Sequence, residues 1–102
     1  MPTPFQQQVW DAIAKIPKGE VTTYGKIADY LGTKAIRAVG TAVGKNPYAP
    51  KVPCHRVVLS NGKIGNYSGE GGIARKIALL KEEGVEVREG KIVGFEERFF
   101  RF

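Results

Sequence analysis

Hydrophobic residues recur every three or four positions through the first half of the chain, and helix-ending residues punctuate the runs. Phe5, Val9, Ala12, Ile13 and Ile16 fall on one helical face. Ahead of them, Thr3-Pro4-Phe5-Gln6 supplies a cap, a proline at the first helical position and a Gln three residues after the cap, while Pro17 and Gly19 end the element. A second helix is predicted from a cap at Thr22 or Thr23 through Leu31, with Ile27, Ala28 and Leu31 inward and Gly32 as its stop. After the turn Gly32-Thr33-Lys34, a third runs from about Ala35 to Gly44. At about 100° per residue, Ala35, Ile36, Val39, Ala42 and Val43 share its packing face, with Lys34, Arg37, Thr41 and Gly44 opposite. Flanked by Ala38 and Gly40, Arg37 is a long cation among small residues, so the backbone could lie close to a partner while Arg37 reaches further. Glycine inside a helix costs about 1 kcal/mol against alanine, which favours close approach over an ordinary solvated face.

Two short helices joined by a tight glycine-containing turn fit a helix-turn-helix, although any small helical bundle contains such pairs. Asn46-Pro47 closes the third helix, and Pro47, Pro50 and Pro53 stiffen the passage that follows. Asn46 either braces that turn by hydrogen bonding or simply terminates the helix. Val57–Leu59 and Lys63–Gly65, around Ser60-Asn61-Gly62, read as a β-hairpin. The glycine-rich stretch from Gly65 to Gly72 lacks the lysine and Ser/Thr ending of a phosphate-binding loop, so nucleotide hydrolysis is not expected. A fourth helix from about Ile73 to Glu83 points Ile73, Ile77 and Leu80 inward and stops at Gly84. Val85–Val87 and Lys91–Val93 around Arg88-Glu89-Gly90 suggest a second hairpin. The terminal Phe99-Phe100-Arg101-Phe102 either packs on the domain or binds a partner. The pattern is mainly α with a small β component, an α+β class, in one domain over 1–102.

Composition narrows the setting. A chain of 102 residues with 42% hydrophobic and 25% charged residues suits one globular domain with a single modest core. No apolar run approaches the roughly 20 residues of a membrane span, and the N-terminus lacks the regions of a signal peptide. A formal charge of +6 suits a polyanionic partner such as nucleic acid. The single cysteine excludes an internal disulfide and agrees with a reducing, intracellular compartment. One cysteine and one histidine are too few to cage a zinc ion, so no metal and no cofactor are expected.

Both of those residues lie in Val52-Pro53-Cys54-His55-Arg56-Val57. The Cys54 thiol is either a small buried hydrophobe or a nucleophile. Thiolate, the reacting form, needs a base, a positive charge or a helix N-terminus nearby, and His55 and Arg56 are candidates for the first two.

Taken together, Pro53-Cys54-His55-Arg56-Val57-Val58, Gly65-Asn66-Tyr67-Ser68-Gly69, Arg37-Ala38-Val39-Gly40 and Asn46-Pro47 resemble the O6-alkylguanine-DNA alkyltransferases, specifically their C-terminal DNA-binding and active-site domain. The resemblance runs from about Phe5 to Gly84 and leaves 85–102 as an additional tail. It implies a winged-helix-like fold and a direct-reversal repair protein. Such a protein flips O6-alkylguanine, or also O4-alkylthymine, out of duplex DNA and takes the alkyl group irreversibly onto cysteine. Carried over, Cys54 is the acceptor, activated by His55 through a water, with Glu83 orienting the histidine. Tyr24 helps rotate the nucleotide and protonates the departing guanine. Asn46 braces the turn, Tyr67, Ser68 and Gly69 line the pocket with the Ser68 amide near the guanine oxygen, and the Cys54 and Val57 carbonyls read the exocyclic amine. Arg37 takes the place of the flipped base, while Ala35, Ile36, Gly40, Thr41 and Tyr24 accompany it in the minor groove. The implied protein is monomeric and cytoplasmic, nucleoid-associated, or nuclear in a eukaryote.

Three departures accompany the resemblance. Most members carry an additional N-terminal domain, which this sequence is expected to lack. Ile36 stands where relatives often have a smaller residue, and Ala49 where some have a pocket proline. A rival reading is the alkyltransferase-like group, short damage-recognition proteins with another residue, commonly tryptophan, at the cysteine position. A winged-helix regulator is a third, but leaves the Cys54-His55 pair unexplained.

Overall fold

The capping chemistry of the first residues sets the frame. In the computed structural model, which describes residues 2–67 and 71–102, Thr3 and Gln6 form a reciprocal capping box ahead of α1, Pro4–Ile13. Helix α1 is shorter than the apolar spacing predicts. Its path tightens into turns at 14–16, because Pro17 disfavours helical backbone in the residue before it. Ile16 remains buried, carried there by the turn.

A two-residue strand β1, Thr22–Thr23, leads into α2, Tyr24–Leu31, which Thr23 caps through its hydroxyl and Gly32 ends in the left-handed region at φ 73°. Helix α3, Ile36–Gly44, completes the helix-turn-helix and buries Val39, Ala42 and Val43. Ala35 and Ile36, expected on that inner face, are exposed. The packing stripe is narrower than drawn from periodicity, and Ile36 instead leans its Cδ1 towards Gly25 at the start of α2. Trp10 is buried, and its indole N–H donates to the Ala42 carbonyl at 2.8 Å, fastening α1 to α3.

A 3-10 turn at Cys54–Arg56 runs into β2, Val57–Val58. The hairpin expected over 57–65 does not form. Its turn closes, with Gly62 donating to Leu59 and Leu59 to Lys63, but β2 pairs in parallel with β1, Thr22 opposite Val57 and Thr23 opposite Val58. Val57 and Val58 are both fully buried, which suits a parallel strand covered on both faces and not a hairpin strand with one wet face. Lys63 bridges instead to Lys91.

Helix α4, Gly72–Glu82, buries Lys76, Leu79 and Leu80 while Ile73 is exposed, so the face drawn through Ile73 is rotated and a lysine enters the core. The later hairpin does form: β3, Val87–Arg88, and β4, Lys91–Ile92, pair antiparallel around Glu89 and Gly90, both at positive φ as a two-residue turn of the primed type requires. The terminal aromatics pack on the domain. Val21 donates to the Arg98 carbonyl and Phe100 to the Val21 carbonyl, extending the β1–β2 pair, and Phe102 stacks on Tyr30 at 4.4 Å.

Two apolar clusters result: one among α1, α2 and α3 that also holds Cys54 and Val57, another of Val21, Val58, Ile64, Leu80, Val85 and Ile92. The β1–β2 pair spans them. No helix among the described residues is long and apolar enough to cross a membrane. Replacing Trp10 by Phe should lower stability by about 1–3 kcal/mol, since the Ala42 carbonyl loses a buried donor. Urea unfolding followed by circular dichroism measures this.

Candidate active site

The proline-rich passage aims the reactive turn. Asn46, at the end of α3, donates through Nδ2 to the Val52 carbonyl at 2.8 Å and accepts from the Tyr48 amide through Oδ1, so both ends of its side chain brace that passage. The turn then opens with Cys54, 4% exposed, in the floor of a cavity of about 440 Å³. Tyr24, Ile36, Gly40, Val43 and Gly44 form its helical wall, with Leu59, Gly65, Asn66 and Tyr67 opposite.

Behind the cavity, His55 is buried and its Nε2 lies 3.0 Å from Glu83 Oε2. Arg56 holds the same carboxylate with a fork, Nε to Oε1 at 2.9 Å and Nη2 to Oε2 at 2.6 Å, while Nη1 donates to the Ile16 carbonyl at 2.6 Å. Glu83 caps the C-terminus of α4. Burial opposes its charge, but hydrogen bonds from Arg56 and then His55 outweigh that and keep its carboxyl below the usual range. An ionised Glu83 accepts the Nε2 proton, leaving the lone pair of neutral His55 on Nδ1. That nitrogen is buried and meets no hydrogen-bonding atom of the described residues. Burial lowers the His55 pKa from 6.5 despite the opposing pull of Glu83, so the ring is a neutral base at neutral pH.

The Cys54 thiol is pushed up by burial, against a hydrogen bond from Asn46 and the charge of Lys76. Tyr24 and Tyr67 are raised as well, by burial and then by a charge on Cys54, which places both phenols in electrostatic reach of the sulfur. The arrangement therefore brings together a thiol, a neutral imidazole on the adjacent residue and neutral phenols, the groups that nucleophilic and general acid–base chemistry use.

The remaining candidates divide. Arg37 is exposed, and its guanidinium makes no hydrogen bond or ion pair among the described residues. Ala35 and Thr41 share this exposed surface, and Gly40 and Ile36 carry it to the cavity rim. The Val57 side chain lies in the core, and its carbonyl already accepts from Lys76 Nζ at 2.8 Å, so it stands behind the cavity wall. Ser68 and Gly69 lie outside the described residues. Sequence reasoning missed Lys76, whose signal was a cation four residues before Leu80 and three after Ile73 on an otherwise apolar stripe.

His55 is the chain's single histidine, so its ring proton resonances titrate alone. Their midpoint should lie below 6.5. Glu83→Gln should lower it further, because the carboxylate charge that raises it is gone. Folded-state depression of a base means that stability from this group is complete above 6.5 and lost as pH falls through the lower folded value.

Residues 4–85 match the family model described as 6-O-methylguanine DNA methyltransferase, DNA binding domain. A methylated-DNA–protein-cysteine methyltransferase of Mycobacterium bovis is 55% identical over 82 residues, 79% of this chain and 48% of the relative. One from Salmonella typhimurium is 51% identical over 83 residues, 80% of this chain and 47% of the relative. The chain thus spans about half the length of the curated relatives it matches. Among solved structures, Mycobacterium tuberculosis OGT in complex with DNA has a TM-score of 0.76 at 54% identity, covering 81% of this chain and 51% of that one. S. pombe Atl1, in complex with damaged DNA containing O6-carboxymethylguanine, has a TM-score of 0.84 at 35% identity and covers 100% of both chains. On the matched residues and on the cysteine turn they contain, the chain belongs to the 6-O-methylguanine DNA methyltransferase family and carries its DNA-binding domain.

Proposed function

We propose that this protein repairs DNA by direct reversal, moving the alkyl group of O6-alkylguanine, with O4-alkylthymine as a second candidate substrate, onto Cys54. The observation that carries the reading is the buried thiol at the floor of a cavity, next to a histidine whose far nitrogen is fixed by a carboxylate. His55 Nδ1 accepts the thiol proton through a water. The sulfur then forms a bond to the alkyl carbon as the carbon–oxygen bond breaks, and Tyr24 returns a proton to the guanine that leaves. The thioether has no route back to thiolate, so each molecule turns over once.

The exposed face of α3 supports binding in the minor groove. Flipping a nucleotide costs a few kcal/mol, and the unpaired Arg37 side chain is suited to fill the space the base vacates. Small residues around it, Ala35, Ala38, Gly40 and Thr41, allow the helix backbone to approach. Phosphate contacts from the basic surface weaken with salt. Tyr67 lines the base pocket, and Asn46 keeps the turn in place. Every residue of the relay belongs to one chain, which suits action as a monomer, and the work on chromosomal DNA places it in the cytoplasm with the nucleoid, or in a nucleus. Residues 1–102 serve as one domain.

A second reading, non-catalytic damage recognition, is favoured by the match to S. pombe Atl1 over the whole of both chains. Incubation with duplex DNA containing O6-methylguanine separates the two by mass. A gain of one methyl on Cys54, absent in Cys54→Ser, supports transfer; damage-selective binding with no gain sinks it. Arg37→Ala should slow reaction with the duplex by about tenfold or more, and reaction with free O6-methylguanine far less, since only the duplex needs a base displaced. Equal losses in the two rates would remove the finger role from Arg37.

A further inference from the structure

Phe95, Phe99, Phe100 and Phe102 crowd the end of the sequence, beyond the residues 4–85 that match the family model. No residue of 86–102 lines the cavity, yet this segment reaches the backs of both its walls. On the loop side, Leu59, Gly65, Asn66 and Tyr67 line the cavity, and the chain between them is paired to the tail hairpin. Ile64 donates to the Gly90 carbonyl at 2.8 Å and Ile92 to the Gly62 carbonyl at 2.9 Å. Lys91 thus has Arg88 opposite it on one side and Lys63 on the other. A two-stranded hairpin is marginal by itself, so this one and the loop it grips order each other. Ile64 and Ile92 are buried in one apolar cluster, and the Phe95 ring lies against Gly62, where a β-carbon would meet it at 3.4 Å.

On the helical side the same segment holds Val21, which donates to the Arg98 carbonyl at 2.8 Å and accepts from the Phe100 amide at 2.7 Å. Val21 precedes β1, and β1 leads directly into Tyr24 of the helical wall. The rings of Phe95 and Phe99, 5.5 Å apart, join the two attachments. We propose that the C-terminal segment is a clasp that fixes the spacing of the two cavity walls, with Phe95 as its positioning residue, and so governs discrimination of an alkylated base from an ordinary one. This deepens the reading of the cavity as a base pocket and rests on it. The thiol and its base are secured separately, by the cysteine turn and by Glu83, so the clasp acts on the walls and not on the sulfur. A loop ordered in advance gives up less conformational freedom when a base enters, which favours tight and selective capture.

The experiment measures equilibrium binding by the full chain carrying Cys54→Ser, in which no transfer consumes the DNA. One duplex contains a single O6-methylguanine and the other has guanine in its place. Cys54→Ser should prefer the damaged duplex. Adding Phe95→Ala should reduce that preference about fivefold or more, the scale of one weakened base contact, and leave binding to the unmodified duplex through the α3 surface unchanged. A merely structural role for Phe95 lowers the folded fraction, which weakens apparent binding to both duplexes alike. An unchanged ratio therefore overturns the proposal. Should Phe95→Ala not fold, Phe95→Leu, which keeps apolar bulk but not the flat ring against Gly62, is measured in the same way, and an unchanged ratio there overturns the proposal too. If Cys54→Ser itself shows no preference, the base-pocket reading falls and the clasp falls with it.

Discussion

The carboxylate of Glu83 is the knot of this structure. It accepts the fork of Arg56 and the ring of His55, and so joins the cysteine turn to the end of α4. Through Arg56 Nη1 the same connection reaches the Ile16 carbonyl beyond α1. Three segments far apart in sequence are thereby held at one point, and the histidine tautomer is set by the same contact. The Arg56 guanidinium, spent on Glu83 and the Ile16 carbonyl, takes no part in lining the cavity. It keeps the carboxylate ionised and aimed, a supporting duty of the kind that orients ligands in many active sites.

Local signals in the sequence were legible wherever a single residue type satisfies a single backbone need. Thr3 and Thr23 cap helices, and Gly32 and Gly84 end them with positive φ, each for reasons contained within a few neighbours. Cys54 and His55 were legible too, through the motif that surrounds them, and Glu83 through the family resemblance alone. Their convergence, 28 residues apart from His55 to Glu83, was implied by resemblance and not by spacing. What stayed hidden depends on partners distant in sequence. Val57 and Val58 pair with Thr22 and Thr23, a choice made by burial on both faces that turn residues at 60–62 cannot announce. Ile36 has the hydrophobicity of a core residue and the location of a rim residue. Lys76 reads as a solvated cation until its three carbonyl partners, brought from two other segments, are assembled.

The cavity thus has two kinds of wall. One is helical and presents Tyr24 from α2 with glycines and branched aliphatic side chains from α3; it is continuous with the exposed surface that bears Arg37. The other is a loop, held from behind by Lys76 and carrying Leu59 and Tyr67. Cys54 sits where the walls meet, on a turn that belongs to neither.

The pairing of Val21 with Phe99 has a further effect, on the order of assembly. β1 is completed only by contacts from far along the chain: β2 on one side, and on the other a segment whose Phe100 carbonyl meets Thr22 across 78 positions. Closing such long loops delays folding relative to a bundle built from neighbouring helices. During synthesis the helix-turn-helix can therefore form early. The strand that leads into Tyr24 is completed only when the aromatic tail has closed on it, so the two ends of α2 depend on contacts of very different range.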